Sequence, residues 1–369
     1  MSAAHVVLFK PSDLRLHDHA PLCAAHEAAK VDEHSFVLHL LVLDESLGFG
    51  LRASPSREAH LPRMGRLRAS FVVQSISSLH ASLASRGYEL LVFIGRTEEA
   101  LAAVATLSQI AAVHTHGPEL CSEERRIERQ LGAQHRLRMY SGWTLTHPDD
   151  LPTAMQRGHA MPGRYKPFLD AVSRGKGPSR HRPPLAEPIW SAREAPAALR
   201  LAVVTATCRG GWGLPQNSDL LPAGADLLCD NEDASATQPQ SGGEEAALAA
   251  LRRYVWEEDR LRRYVGSSDS MTPGVDNALN ATTHLSAYLA HGCLSARRLY
   301  DEVRSYEKRR VRNRSTYWVR PHPHSTPRRC PSTTVESERP TPHHELVSHT
   351  VRFDGLRCTL AWFCRCTTS

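Results

Sequence analysis

Three hydroxyl side chains lie close together in the stretch NATTHLSAYLAHGCLSARRLYDEV, which runs from Asn280 to Val303. Thr282, Thr283 and Ser286 surround the predicted start of a short helix, which ends at Gly292 in the C′ position. Hydroxyl groups and free backbone N–H groups at a helix N-terminus form a site for a phosphate or pyrophosphate. Ordinary helix capping accounts for the same residues, so the pattern leaves both interpretations open.

A second polar cluster follows the first predicted strand. The run FKPSDLRLHDHAPL begins at Phe9 and brings Asp13, Arg15 and Asp18 directly after an apolar segment. Because ligands of parallel α/β sheets bind beyond the carboxyl ends of the strands, this loop is a candidate binding edge. The interpretation that we favour is structural: Asp13 pairs with Arg15 and fixes the loop, while Asp18 caps the next helix.

The elements that carry this loop alternate between short apolar runs and helical patterns over residues 1–150. Strands are predicted at residues 6–9, 36–43, 90–94 and 110–114, and helices at residues 19–30, 64–86, 98–107 and 123–135. Strands that alternate with helices indicate βαβ units. We therefore predict an α/β fold whose N-terminal part is a doubly wound, Rossmann-like parallel sheet.

Composition is that of a globular protein. The chain has 369 residues, of which 41% are hydrophobic and 23% charged, enough for two domains. Its net charge of +6 is compatible with a nucleic-acid partner, but a solvated basic surface is the commoner explanation. No run approaches the length of a membrane-spanning helix, and the N-terminus lacks a secretory or other targeting pattern. Nine scattered cysteines without a CxxC pair fit reduced thiols. We expect a soluble intracellular protein of unspecified compartment.

The remaining residues divide into three segments by composition. Residues 151–241 are predicted to be an interdomain linker, with an exposed, Gly- and Asp-rich connector at 209–243. Residues 242–319 predict the start of an all-helical domain, in which Ser295 caps one helix. Residues 320–369 lose helical periodicity and are expected to be an atypical, disordered tail. The His and Cys spacings of this tail match no ordinary structural zinc site, so no metal site is predicted.

These motifs together resemble one family. The hydroxyl-rich stretch resembles the flavin-binding segment of the photolyase/cryptochrome family, T-S-x-L-S-P-Y-L-A-x-G-x-L-S-x-R, with Ala287 in place of the Pro. The run from Phe9 is similar to the family's opening W-F-R-x-D-L-R-x-x-D-N-x-A-L, without its Trp and first Arg. The run NRSTYW at 313–318 resembles most closely the cryptochrome DASH branch. The resemblance covers residues 5–319, and it implies that residues 1–150 are the family's α/β antenna domain.

The resemblance implies two cofactors. FAD is expected in the helical segment, and the candidate contacts are Tyr264, Thr282, Thr283, His284, Leu285 and Ser286. Helix capping, and for Tyr264 an apolar position of its own helix, are the structural alternatives. An antenna pigment, methenyltetrahydrofolate or a deazaflavin, is expected at the α/β domain, where Glu123 is the candidate contact. A solvated glutamate on a helix surface is the alternative there.

The resemblance also implies DNA as a partner, in single-stranded or damaged form. Six arginines of the helical segment could supply positive charge to phosphates: Arg252, Arg253, Arg262, Arg263, Arg297 and Arg298. A solvated helix surface is the other interpretation of these residues.

The implied activity is that of a deoxyribodipyrimidine photolyase, in which light and FAD split cyclobutane pyrimidine dimers in DNA. A cryptochrome-type blue-light photoreceptor uses the same scaffold and is the alternative, as is an inactive, truncated fragment of either protein. The match stops at Val319, where Arg320 and Pro321 replace the family's F-E-L. We therefore expect that the tryptophan electron path and the dimer-binding residues are missing, and no catalytic residue is assigned.

Overall fold

The structure, a computed structural model, describes most of the two predicted domains. The described residues are 3–32, 34–53, 63–118, 121–156, 161–174, 181–190, 193–206, 208–221, 240–263 and 283–312. Residues 320–369 therefore lie outside the described part. The boundaries predicted for the domains and the linker stay predictions.

One six-stranded sheet organises the N-terminal part of the molecule. Its strands are β1 Ala3–Phe9, β2 Ser35–Asp44, β3 Leu90–Gly95, β4 Gln109–His116, β5 Leu137–Tyr140 and β6 Gly211–Trp212. They are arranged in the order β5-β4-β1-β2-β3-β6. The first five strands run parallel to one another, and β6 is antiparallel to β3. The prediction of a doubly wound parallel sheet is confirmed.

Eleven α-helices are present in the described residues. They are α1 Ala20–Val31, α2 Arg66–Ala84, α3 Thr97–Leu107, α4 Ser122–Gln134, α5 Thr153–Gln156, α6 Tyr165–Arg174, α7 Ala197–Thr205, α8 Asn217–Leu220, α9 Glu244–Arg252, α10 Ser286–Ala290 and α11 Ala296–Arg312. A π-helical turn at Arg253–Glu257 follows α9 directly. From Glu244 to Arg312 the described residues are therefore mainly helical, as the periodicity predicted for this segment.

Apolar side chains cover both faces of the sheet. On one face, Val7, Phe9 and Leu41 pack in a cluster that also contains residues of α2, α9, α10 and α11. On the other face, Val6 and Leu40 pack with residues of α3 and α4. All ten residues of β2 are buried, as expected for a central parallel strand. The shared cluster joins the helical segment to the α/β sheet through a common core.

One predicted helix cap is wrong. His19, and not Asp18, caps α1, because the His19 Nδ1 accepts a hydrogen bond from the Leu22 N–H at 3.1 Å. The connector predicted at 209–243 is largely exposed at its beginning, as expected, but it also contains β6, which pairs with β3. The ring of the half-buried Trp212 packs there against Phe93 with centroids 4.6 Å apart.

Candidate functional site

The candidate flavin segment forms a tight turn that leads into α10. The Leu285 side chain is fully buried, whereas Ser286 is exposed at the first position of the helix. Thr283 Oγ1 accepts a hydrogen bond from the Leu285 N–H at 3.4 Å, and His284 adopts a left-handed φ of 53°. Leu285 therefore anchors the turn, and Ser286 is its exposed hydroxyl residue. Thr282 and Tyr264 lie outside the described residues.

The chain just before α9 holds this turn in place. The Gln240 amide donates to the carbonyl of His284 at 2.6 Å, and the Tyr288 hydroxyl donates to the carbonyl of Ser241 at 2.9 Å. The Tyr288 ring packs 5.5 Å from Phe71 of α2. A helix of five residues has little dipole of its own, so these contacts, rather than helix propensity, keep α10 formed.

The turn after α10 touches the loop that follows β1. The Leu14 N–H donates to the carbonyl of His291 at 3.1 Å, and His291 Nδ1 donates to the carbonyl of Pro11 at 3.0 Å. Gly292 has a φ of 65°, and a Cβ atom there would lie 2.0 Å from the carbonyl oxygen of Ser12. Only glycine fits this approach. The prediction that Gly292 ends the helix in the C′ position is confirmed.

Arg15 and Asp13 do not form the ion pair that the sequence predicted. The Arg15 guanidinium is buried and donates to backbone carbonyls, among them Gly292 at 2.9 Å and Gly142 at 3.3 Å. Asp13 instead accepts hydrogen bonds from the Lys10 N–H at 2.5 Å and from His116 Nδ1 at 3.0 Å. The loop is therefore an internal junction of the fold and not an exposed binding edge.

Asp13, His19 and His116 form a buried polar cluster whose ligand-type atoms lie within 4.8 Å of one another. Because His19 Nδ1 accepts the Leu22 N–H, its Nε2 carries the ring proton and offers no lone pair to a metal ion. Asp13 is better described as a carboxylate beside two neutral imidazoles. Burial would raise the pKa of Asp13, but the hydrogen bonds from His116 and His19 outweigh burial and lower it. Burial lowers the pKa of both histidines.

The same loop makes a buried ion pair with the helical segment. The Asp18 carboxylate accepts hydrogen bonds from Arg297 Nε at 2.9 Å and from the Leu185 N–H at 2.8 Å, and its Oδ1 lies 2.7 Å from Arg297 Nη2. Asp18 is fully buried and Arg297 is 7% exposed. The pairing explains why Asp18 does not cap α1, and it removes Arg297 from the set of arginines that could contact DNA.

Ser295 and Glu244 complete the junction. Ser295 Oγ accepts the Arg298 N–H at 3.0 Å, which confirms the prediction that Ser295 caps α11. The Glu244 carboxylate, at the start of α9, accepts from the N–H groups of Leu16 and His17 at 2.7 and 3.0 Å. Sequence analysis missed Glu244 and His17 as contact residues. The polar character of the loop was the sequence feature that could have indicated such a contact. It could not identify the partner, which lies more than 200 residues away.

Glu123, the candidate antenna contact, lies in the first turn of α4. Its carboxylate pairs with Arg63 at 2.8 Å, and the Cys121 thiol donates to it at 3.3 Å. This pairing raises the pKa of Arg63. Glu123 is not simply solvated, because it has a cationic partner. About a third of its side-chain surface stays exposed, and the contact with Arg63 does not by itself indicate a pigment.

The other candidate DNA contacts differ in accessibility. Arg252 and Arg253, at the end of α9, are exposed. Arg298 is tied to Glu302 of its own helix at 2.6 Å. Nothing is described for the side chains of Arg262 and Arg263. The exposed positive charge of the helical segment is therefore provided in part by Arg252 and Arg253.

Comparison with known proteins agrees with the fold and with the motif. Residues 5–188 match the family model described as DNA photolyase. The cryptochrome DASH of Gloeobacter violaceus is 34% identical over 86% of this chain, and that of Ostreococcus tauri is 32% identical over 86%. The chain belongs to the photolyase/cryptochrome family. A solved Synechocystis cryptochrome superposes with a TM-score of 0.64 at 28% identity and covers 86% of this chain.

The chain of this family member is short beside its relatives. It spans 57% of the Gloeobacter protein, 58% of the Ostreococcus protein and 59% of the Synechocystis cryptochrome. Within the described residues, none of the helices combines the length and the apolar character needed to cross a membrane.

Proposed function

We propose that this chain binds FAD, with the phosphate and ribitol part of the cofactor at the turn before α10. Membership of the photolyase/cryptochrome family supports this proposal, together with one observation on the turn: Ser286 is exposed at a helix start that the buried Leu285 anchors. Thr283, His284 and Ser286 would face the cofactor with hydroxyl and backbone groups. Thr282 and Tyr264 complete the proposed contacts. When it is bound, FAD supplies light absorption and one-electron chemistry.

The residues fit the phosphate end of the cofactor. Phosphate oxygens accept hydrogen bonds, and a turn with the exposed hydroxyl residue Ser286 and the half-buried Thr283 offers hydroxyl donors to them. The left-handed His284 turns the backbone so that its carbonyl points to Gln240 and away from this face. The chain's part in the chemistry is therefore to bind and orient the cofactor.

The proposed activity is light-dependent repair of cyclobutane pyrimidine dimers, by electron transfer from FAD to single-stranded or otherwise damaged DNA. Membership of the family supports the reaction class, and the exposed Arg252 and Arg253 support a phosphate-binding surface. Repair of a dimer-containing oligonucleotide under blue light is the test. Flavin photoreduction without repair would favour the photoreceptor alternative. Absence of both photoreduction and repair would favour an inactive fragment.

We also propose a folate-type antenna, methenyltetrahydrofolate, near Glu123. A carboxylate can accept paired N–H groups from a pterin ring. Binding there would require Glu123 to share its carboxylate with Arg63, or to leave it. Reconstitution with the folate, followed by its absorption band, tests the assignment against the variant Glu123→Gln.

Equilibrium binding of FAD to the purified chain tests the cofactor site. We expect Thr283→Ala and Ser286→Ala together to weaken FAD binding about tenfold or more, the loss of one to two hydrogen bonds to a charged group. Ser77→Ala is the matched control, because Ser77 is an exposed serine of α2 whose hydroxyl donates to the Val73 carbonyl of the same helix. Equal affinity of the double variant and the control variant would refute the assigned site.

A further inference from the structure

His17 joins three segments that are far apart in sequence. Its Nδ1 lies 2.6 Å from Glu244 Oε1 at the start of α9, and its Nε2 lies 3.2 Å from the backbone nitrogen of Ser295. His17 itself belongs to the loop after β1. One imidazole ring therefore connects the loop after β1 to the start of α9 and to the residue that caps α11.

The two contacts define the role of each ring nitrogen. A backbone N–H can only donate, so His17 Nε2 accepts from Ser295 with a lone pair. The Glu244 carboxylate is an acceptor, so Nδ1 donates to it. A side chain at this position therefore has to offer one donor and one acceptor.

Ser295 links this ring to the proposed flavin segment. It caps α11, and the next residue towards α10, Leu294, donates its N–H to the carbonyl of Tyr288 at 3.2 Å. Tyr288 lies in the middle of α10, two residues after Ser286. Movement at Ser295 is therefore transmitted to α10 through two hydrogen bonds and one short turn.

We infer that His17 is a positioning residue for flavin binding: its ring accepts the Ser295 amide and, through that residue, keeps α10 in the position that the flavin site needs. This inference rests on the proposed FAD site. Glu244 from α9 and Arg297 from α11 face the same junction, with Asp18 and Arg15 from the loop itself. Asp18 pairs with Arg297, and Glu244 fixes the orientation of the His17 ring, so the Ser295 contact is the one that leads to α10.

The first test is the FAD affinity of the full chain at one pH near 8. We expect His17→Leu, which offers Ser295 no acceptor, to raise the dissociation constant about tenfold. His17→Gln offers an amide acceptor to Ser295 and a donor to Glu244, and its dissociation constant should stay within about threefold of the unmodified value. His34→Gln, at an exposed histidine before β2, should behave like the unmodified protein.

The second test does not depend on flavin. Hydrogen exchange of the Ser295 amide and of α10, at one pH near 8, reports the contact directly. We expect His17→Leu to raise these exchange rates about tenfold, and His17→Gln to leave them near the unmodified values. The comparison with His17→Gln keeps the test valid if His17→Leu folds poorly.

The outcomes separate the two proposals. If FAD binds neither the unmodified protein nor the variants but exchange responds to His17→Leu, the proposed cofactor is wrong and the positioning role stands. If FAD binds His17→Leu as tightly as the unmodified protein, or if Ser295 exchange is unchanged in His17→Leu, the role of His17 is refuted. A loss of FAD affinity in His17→Gln as large as that in His17→Leu also refutes it.

Discussion

The buried ion pair between Asp18 and Arg297 offers a quantitative test of the junction between the two parts of the chain. Asp18→Asn keeps the size of the side chain, and Asn tolerates the positive φ of 51° at this position. The change removes the negative charge of the carboxylate that contacts Arg297, which is 7% exposed. Arg15 lies in the same junction and repels Arg297, so the unpaired charge is not compensated from there.

Loss of one partner from a buried pair costs about 3–5 kcal/mol, because the other charge stays buried without compensation. We expect Asp18→Asn to lower the free energy of unfolding by about 3 kcal/mol, towards the lower end, since the amide oxygen can still accept one hydrogen bond. Urea unfolding followed by tryptophan fluorescence measures the change. Combined with Arg297→Met, the double variant should be less destabilised than the sum of the two single variants by about 2 kcal/mol.

The exposed pair of Lys30 with Glu27 is the matched control for this experiment. Their atoms lie 3.1 Å apart, and Glu27 keeps most of its surface. Glu27→Gln should change the free energy of unfolding by less than about 0.5 kcal/mol. A cost below about 1 kcal/mol for Asp18→Asn, or strict additivity with Arg297→Met, would refute the description of this contact as a buried, coupled pair.

Two further predictions concern acid stability and the α10 turn. Burial lowers the pKa of His26 to about 4, of His114 to about 3 and of His291 to about 4. In the unfolded chain these histidines bind protons near pH 6.5, whereas in the folded chain they bind them only at lower pH. Above pH 6.5 they therefore have little effect on the free energy of unfolding. Stability then falls by about 4 kcal/mol per pH unit for the three together as pH drops from 6.5 towards 4; a flat profile between pH 6.5 and 5 in urea unfolding would contradict this. Gly292→Ala should cost about 3 kcal/mol or more, because its Cβ would overlap the Ser12 carbonyl and the φ is left-handed, whereas Gly65→Ala, with open space around it, should cost less than about 1 kcal/mol in the same assay.

Features that depend on a few neighbouring residues were predictable from the sequence. The central strands, the Ser295 cap and the glycine after α10 each follow from local periodicity or from a single backbone requirement. Strand β5 has only four residues and is partly buried, so its pattern carried too little alternation to be recognised. Strand β6 has two residues and exists because Trp212 packs on Phe93.

Features that depend on distant residues were not predictable. Asp13 and Arg15 are two residues apart, and opposite charges at that distance suggested a pair. Their actual partners, His116 and Gly292, lie 103 and 277 residues away. The fold brings these partners into a buried space, where the Asp13 carboxylate accepts from an imidazole and the Arg15 guanidinium donates to backbone carbonyls. A single sequence does not contain that information.

The candidate flavin site was identified from a motif, and the structure adds the contacts that hold its turn. The motif named the residues of the turn but not Gln240 or Ser241, which contact it from the preceding segment. Tyr264 and Thr282 lie outside the described residues, so their role remains a prediction from the motif.

Flavin content is the measurement that tests the central claim most directly. The chain would be purified in the dark, its visible spectrum recorded, and the FAD released by denaturation quantified against protein. We expect a flavin spectrum with close to one FAD per chain, and a marked loss of FAD in the variant with both Thr283→Ala and Ser286→Ala. A soluble, folded protein that contains no flavin and takes up none from added FAD would contradict it.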